Sequence, residues 1–238
     1  MAMKNKRILF IVIVLLSLLV TLFLLFRTLR TKYIVSQYFY NIQWLTKKKF
    51  HSYHKKKMPL TILFGNSITE NFREYLPESD SLLNMGISGD FTEGLLKRLD
   101  NVTNLKPERL FIKIGINDIV ERVSLTEIEG NYKEILNRIT KASPNTVIYI
   151  QSTLPTRDLK SAFRDSKDIN EIVMELNVFL KKQAEERKLT FINMYPDFAD
   201  ANNELKKELT YDGVHLTEEG YNIWKKHLAK YFHLIRKK

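Results

Sequence analysis

The 238-residue chain has no cysteine. That excludes disulfides, a thiolate zinc site, a catalytic cysteine and a thioether-linked lipid anchor. It leaves the compartment open, since a cysteine-free chain suits reducing and oxidising surroundings alike. Acidic residues are missing from the first 57 positions, which hold twelve Lys or Arg and no Asp or Glu. Residues 58–238 then carry 26 basic and 27 acidic residues, so the net charge of +11 belongs to the N-terminal arm. A nearly neutral domain lacks the electrostatic footprint of a nucleic-acid binder, and no nucleic-acid partner is expected. Repeats and low-complexity tracts are also lacking. No nucleotide-binding glycine motif appears either, since Gly86-Ile87-Ser88-Gly89 is neither G-x-G-x-x-G nor a Walker sequence. The length suits one ordinary domain plus an appendage.

The appendage comes first. Ile8 to Phe26 is a 19-residue stretch whose only polar members are Ser17 and Thr21. As a helix it would span about 28 Å, close to the roughly 30 Å hydrocarbon thickness of a bilayer. A cleaved signal peptide needs small residues at its cleavage site, but after Ala2 the next alanine is Ala142, and Arg27-Thr28-Leu29-Arg30 follows Phe26. One uncleaved transmembrane helix within residues 1–27 is therefore expected. Residues 28–57 read as a juxtamembrane linker, with Tyr33, Tyr38, Phe39, Tyr40 and Trp44 suited to the interface and two Lys triplets suited to anionic headgroups. His51 and His54 have H-x-x-H spacing but sit among lysines without a carboxylate, which suits a solvated linker better than a metal site. Flanking positive charges nearly tie on the two sides. The short N-terminal tail has the usual form of a signal anchor. The expectation is a single-pass protein of a bacterial-type cell membrane, with its domain of residues 58–238 on the extracytoplasmic side.

Within that domain short apolar runs alternate with amphipathic ones. Strand-like runs are Leu60–Phe64, Leu82–Asn84, Arg109–Ile114, Thr146–Ile150 and Thr190–Met194. Ser124-Leu125-Thr126-Glu127 has capping-box form, and Leu125, Ile128, Tyr132, Ile135, Leu136 and Ile139 follow at helical spacing. Asp168 can cap a helix burying Ile172, Val173, Leu176 and Phe179. Thr217 can cap a last helix carrying Tyr221, Trp224, Leu228, Phe232 and Ile235. The alternation predicts an α/β fold: three layers, α/β/α, around a parallel, flavodoxin-like sheet of about five strands. Asn101-Val102-Thr103 spells a glycosylation sequon, of consequence only in a glycosylating host.

In such folds ligands sit beyond the carboxyl ends of the strands. The first strand runs into Gly65-Asn66-Ser67, and a plain strand-to-helix turn could use those three residues. A serine there could also be a nucleophile, if a base takes its proton. His227 and His233 lie on an amphipathic helix, where surface or packing roles suit them. His215 lies in a loop, three residues after Asp212, with Gly213 between them to allow a turn. That spacing can set the carboxylate beside the imidazole, although D-x-x-H alone is a weak signal. Acyl transfer also needs donors for the oxyanion. Gly89 can offer a backbone N–H and Asn117 a side-chain amide, while Gly86, Gly89 and Gly115 could equally serve tight turns.

The ordered set Ser67, Gly89, Asn117, Asp212 and His215 resembles that of the SGNH hydrolases, also called the GDSL esterase/lipase family. The blocks are "FGNSITE", "NMGISGDFTEGLLKRL", "IGIND" and "DGVHLTEEGY", and the resemblance covers roughly residues 60–235. The second and last blocks are most similar to the branch holding intracellular platelet-activating-factor acetylhydrolase catalytic subunits and bacterial acetylesterases. Asn66 departs from the family's usual Asp. The resemblance implies a serine esterase without metal or organic cofactor. Ser67 would be the nucleophile, His215 the base and Asp212 its partner. The backbone N–H groups of Ser67 and Gly89 and the Asn117 amide would form the oxyanion hole. It further implies short acyl, chiefly acetyl, ester substrates, with O-acetylated cell-surface glycans suggested by the anchor. An acyltransferase with the same triad, a lipase or thioesterase, and an inactive scaffold are the alternatives. Leu154–Lys167 is expected to wall the pocket, with Arg157 and Arg164 either solvated or facing an anionic group.

Overall fold

The computed structural model describes residues 11–26, 60–159 and 165–231. Residues 11–26 fall in one compact unit and residues 60–231 in another. The predicted linker 28–57 with His51 and His54, together with Arg164, Phe232, His233 and Ile235, lies outside the described residues.

Residues 11–26 form a helix, α1, and all of its side chains are exposed. Sixteen residues rise about 24 Å, short of a bilayer's roughly 30 Å. Among the described residues no helix is long and apolar enough to cross a membrane. Positions 8–10 of the expected span lie outside them.

The second unit runs β1 (Thr61–Gly65), α2 (Ser67–Asn71), β2 (Leu82–Gly86), α3 (Thr92–Lys97), α4 (Asp100–Thr103), β3 (Arg109–Lys113), α5 (Ile116–Val120), α6 (Leu125–Ala142), β4 (Val147–Gln151), α7 (Ser166–Glu186), β5 (Thr190–Ile192), α8 (Tyr195–Phe198) and α9 (Glu218–Leu228). The strands are all parallel, in the order β2-β1-β3-β4-β5. This is the doubly wound order whose topological switch lies between β1 and β3, where the chain leaves one side of β1 and resumes on the other. The three-layer expectation holds. Each predicted strand is present, with ends shifted by one or two residues. Every residue of β1 is buried, as a strand covered on both faces requires.

Helix α6 begins as its capping pattern foretells, with the Ser124 hydroxyl accepting from Glu127 N at 3.2 Å. It buries Ile128, Tyr132, Ile135, Leu136 and Ile139. Helix α7 differs from expectation: Asp165, not Asp168, is its cap and accepts from Asp168 N at 3.1 Å. Both aspartates precede an apolar repeat. The helix starts a turn earlier because Ile169, Val173, Leu176 and Leu180 form the buried stripe, while Ile172 and Phe179 are only partly covered. Thr217 caps α9, which buries Tyr221, Trp224 and Leu228.

Candidate active site

The first strand ends at a position only glycine can fill. A Cβ on Gly65 would lie 2.2 Å from the Lys113 carbonyl oxygen and 2.4 Å from Thr69 Oγ1. Asn66 then caps α2, its side-chain oxygen accepting from Ile68 N at 3.2 Å. Aspartate could supply the same oxygen, so the substitution keeps the cap and drops only the charge. Ser67 is the first residue of α2, 8% exposed. Its backbone N–H stands at a helix start, where no intrahelical acceptor exists.

The loop that carries Asp212 and His215 is a tight turn bracketed by an antiparallel bridge between Thr210 and Leu216. The Thr210 hydroxyl donates to the His215 carbonyl at 2.7 Å and accepts from Gly213 N at 2.9 Å. Gly213 has φ +89, and a Cβ there would strike the Arg157 carbonyl at 1.9 Å. Arg157 N in turn donates to the Gly213 carbonyl at 2.9 Å, docking the turn on the loop after β4. Asp212 Oδ1 accepts from His215 N at 2.7 Å and Val214 N at 3.0 Å, and Oδ2 meets His215 Nδ1 at 2.6 Å. His215 Nε2 lies 2.9 Å from Ser67 Oγ. With the proton on Nδ1 donated to the carboxylate, Nε2 is left to accept from the serine hydroxyl. Partial burial works against the Asp212 charge. The hydrogen bonds from the His215 ring, His215 N and Val214 N outweigh it and hold the carboxyl below the usual range.

Gly89 sits in a turn closed by Asp90 N donating to the Ile87 carbonyl at 3.2 Å, with φ +75, where glycine is free of strain. Three ties hold this turn. Ser88 N and Oγ donate to Glu70 on α2 at 2.7 and 2.6 Å. Asp90 accepts from Arg98 Nε at 2.8 Å; the same guanidinium donates to the Met85 carbonyl at 2.7 Å and the Gly65 carbonyl at 2.9 Å, and covers the Phe64 ring. Asn117 Nδ2 donates to the Asp90 carbonyl at 2.8 Å. An amide carries two N–H bonds, so one remains for another acceptor.

The structure thus joins Ser67, His215 and Asp212 in one hydrogen-bonded chain. It brings Asn117 to the Gly89 turn through Asp90, and the turn to the Ser67 helix through Glu70. Sequence reasoning missed Glu70, Arg98, Asp118 and Asn170. Asp118 is buried and accepts from Thr92 Oγ1 at 2.6 Å; burial pushes its carboxyl up to about 7, against the Thr92 hydrogen bonds. Asn170 on α7 holds both N–H and C=O of Thr156, fixing the segment against which Gly213 docks. No pattern marks these residues: Arg98, Asp118 and Asn170 are polar groups buried by tertiary contact, and the partly exposed Glu70 meets Ser88 only through the fold. Arg157 departs from both expectations. Its guanidinium pairs with Asp200 and Glu204, so its charge is compensated within the protein. His227 lies apart from the site, 2.8 Å from Asp197.

The GDSL-like lipase/acylhydrolase family description matches residues 63–223. The chain is similar to the platelet-activating factor acetylhydrolase IB subunit alpha1 of Rattus norvegicus, 24% identical over 189 residues, covering 75% of this chain and 78% of that one. A GDSL-like lipase from Bacteroides thetaiotaomicron superposes with a TM-score of 0.71 at 25% identity, over 81% of this chain and 97% of the other. An acetylxylan esterase from Geobacillus stearothermophilus shares the fold, with a TM-score of 0.59 at 19% identity over 77% and 99%.

Proposed function

Since the chain belongs to the GDSL-like lipase/acylhydrolase family and is a carboxylic ester hydrolase, we propose that Ser67, His215 and Asp212 carry its ester cleavage. The observation that carries this reading is the unbroken chain from Asp212 Oδ2 through the imidazole to Ser67 Oγ, with links of 2.6 and 2.9 Å.

Ser67 Oγ attacks the ester carbonyl as its proton passes to His215 Nε2. The tetrahedral oxyanion is held by the backbone N–H groups of Ser67 and Gly89 and by the free N–H of Asn117; losing one such donor typically costs ~10²–10³ in rate. Asp212 stabilises the imidazolium. His215 then gives its proton to the leaving alcohol, the acyl group remains on Ser67, and water activated by the same imidazole releases it as the carboxylic acid. The steps require no metal or organic cofactor.

The acyl group in this reading is acetyl, carried on a cell-surface glycan. The acetylxylan esterase sharing the fold motivates that choice by analogy. The N-terminal apolar stretch, with α1 exposed along its length, serves as a membrane anchor that leaves the domain outside. Hydrolysis of p-nitrophenyl acetate against longer-chain esters, by the full chain and its Ser67→Ala variant, tests the chemistry. Serine-dependent turnover favouring acetate is expected; full activity in the variant would refute it. Detergent-dependent extraction and protease accessibility on intact cells test the anchor and its orientation.

A further inference from the structure

Exposed large apolar side chains are scarce in the hydrolase unit. Among its described residues they are Val147, Val178 and Tyr211. Val147 opens β4 and Val178 lies on α7, whereas Tyr211 immediately precedes Asp212. Tyr211 is 66% exposed, and its ring lies nearly parallel to the His215 imidazole, at 13° with centroids 5.9 Å apart. The ring stands on the Thr210–Leu216 turn that fixes His215. Burial raises the Tyr211 phenol, with Asp212 and Tyr75 adding to the effect, which sets Tyr75 nearby. Tyr75 is itself stacked on Tyr221 at 4.6 Å, and Tyr221 on Phe72 at 5.8 Å. An aromatic series therefore rises from the core to the edge of the proposed site.

The chemistry says which part of a substrate meets this ring. His215 protonates the leaving alcohol, so the alcohol moiety must lie on the histidine's side of the ester. The acyl moiety lies towards the oxyanion donors after β2 and β3. Tyr211 is thus placed to contact the alcohol. The other well-exposed large apolar side chains of the unit, Val147 and Val178, stand on β4 and α7, and the aromatic rings behind Tyr211 are partly covered or buried, so no exposed alkyl groove continues from it among the described residues. Its surroundings are acidic instead: Asp212 acts on Tyr211, and Glu74 and Glu218 act on Tyr75. An exposed amphipathic ring amid carboxylates suits a ligand with one apolar face and a hydroxylated rim, without negative charge. A pyranose has that form, stacking its C–H face on the ring while its hydroxyls remain in water.

We propose that Tyr211 is a stacking platform for the neutral pyranose that carries the ester, making the alcohol-side subsite a saccharide subsite. The proposal rests on the Ser67–His215 reading. Its test compares acetate release from peracetylated xylobiose and from ethyl acetate by the full chain and by Tyr211→Ala, Tyr211→Phe and Tyr211→Trp. Tyr211→Ala is expected to lower kcat/KM for the saccharide about tenfold more than for ethyl acetate, chiefly through KM. Phe and Trp should restore the preference. Equal losses on both substrates would assign Tyr211 to packing on His215 and overturn the proposal. Undiminished saccharide turnover, or a loss confined to long-chain esters, would overturn it as well. Wild-type protein without Ser67-dependent turnover of p-nitrophenyl acetate would instead refute the underlying reading, and the platform with it.

Discussion

The two halves of the proposed site are held by opposite means. On the nucleophile side the supporting groups apart from Glu70 and Asn117 are buried: Asp90 and Asp118 are at 0% and 1% exposure and Arg98 at 4%. They hydrogen-bond inside the protein, Asp90 to Arg98 as an ion pair and Asp118 to Thr92, so the geometry of the Gly89 turn and the stability of the fold are the same interaction. On the acid–base side, Asp212 and His215 are exposed at 41% and 28% of their side chains. Their geometry comes from a short turn whose donors and acceptors are nearly all within six residues, plus its docking on Arg157. Damage on the buried side should therefore cost fold and activity together. On the exposed side, loss of the Asp212 or His215 side chain should cost activity alone.

The sharpest way to break that contrast is Asp212→Asn. It should lower kcat by about 10³–10⁴ through loss of the imidazolium's partner, while the melting temperature barely moves. A large thermal shift would place Asp212 among the structural residues. Arg98→Met works from the other side. Removing one partner of a buried pair typically costs about 3–5 kcal/mol, some 6–20 °C in Tm for a domain of this size, and esterase activity should fall with it. An Arg98→Met protein with unchanged Tm would remove the argument.

A milder test is Gly213→Ala, which must move the Arg157 carbonyl or abandon its positive φ. It should reduce kcat several-fold and Tm by a few degrees, since a strained residue costs about 1–3 kcal/mol. Smaller again is a pH effect from groups the mechanism does not use. Lys113 is fully buried, its Nζ donating to the Ser152 carbonyl at 3.1 Å, and burial pushes the amine down to about 7. Between about pH 7 and the unfolded value of ~10.4 the unfolded chain binds more protons, so stability should rise with pH by up to about 1.4 kcal/mol per unit. Asp118 acts in the reverse sense. Its carboxyl is raised to about 7, the folded chain holds the extra proton above the unfolded value of ~3.9, and stability should fall as pH rises from there to about 7. Denaturant titrations across this range should flatten above pH 7 in Lys113→Met and below it in Asp118→Asn. The smallest expected effect is Asn66→Asp. Both side chains offer the oxygen that Ile68 N uses, so kcat/KM should stay within about threefold and Tm within a degree or two.

The same contrast explains what the sequence revealed. The β-strands were legible as short apolar runs, and the helices α6 and α9 because each repeats its apolar residues at helical spacing behind a recognisable cap. Ser67, His215 and Asp212 were legible because strand ends and a glycine-bearing turn mark their positions along the chain. Arg98 and Glu70 were not, although both stand in quoted motifs. Their partners, Gly65, Met85, Asp90 and Ser88, are brought to them only by the sheet and its turns. Asp165 and Asp168 show the same limit at short range. Either can start a helix, and the choice falls to which stripe of α7 meets the core. Arg157 looked like a surface charge because its carboxylates, Asp200 and Glu204, lie more than forty residues away.

The central claim is that Ser67 is a nucleophile made reactive by His215. The most direct measurement is labelling of the full chain with a fluorophosphonate, followed by intact-mass and peptide analysis of the wild type and His215→Ala. One adduct, located on Ser67 and strongly slowed in His215→Ala, is the predicted result. Labelling at another residue, or at Ser67 with equal speed in both proteins, would contradict it.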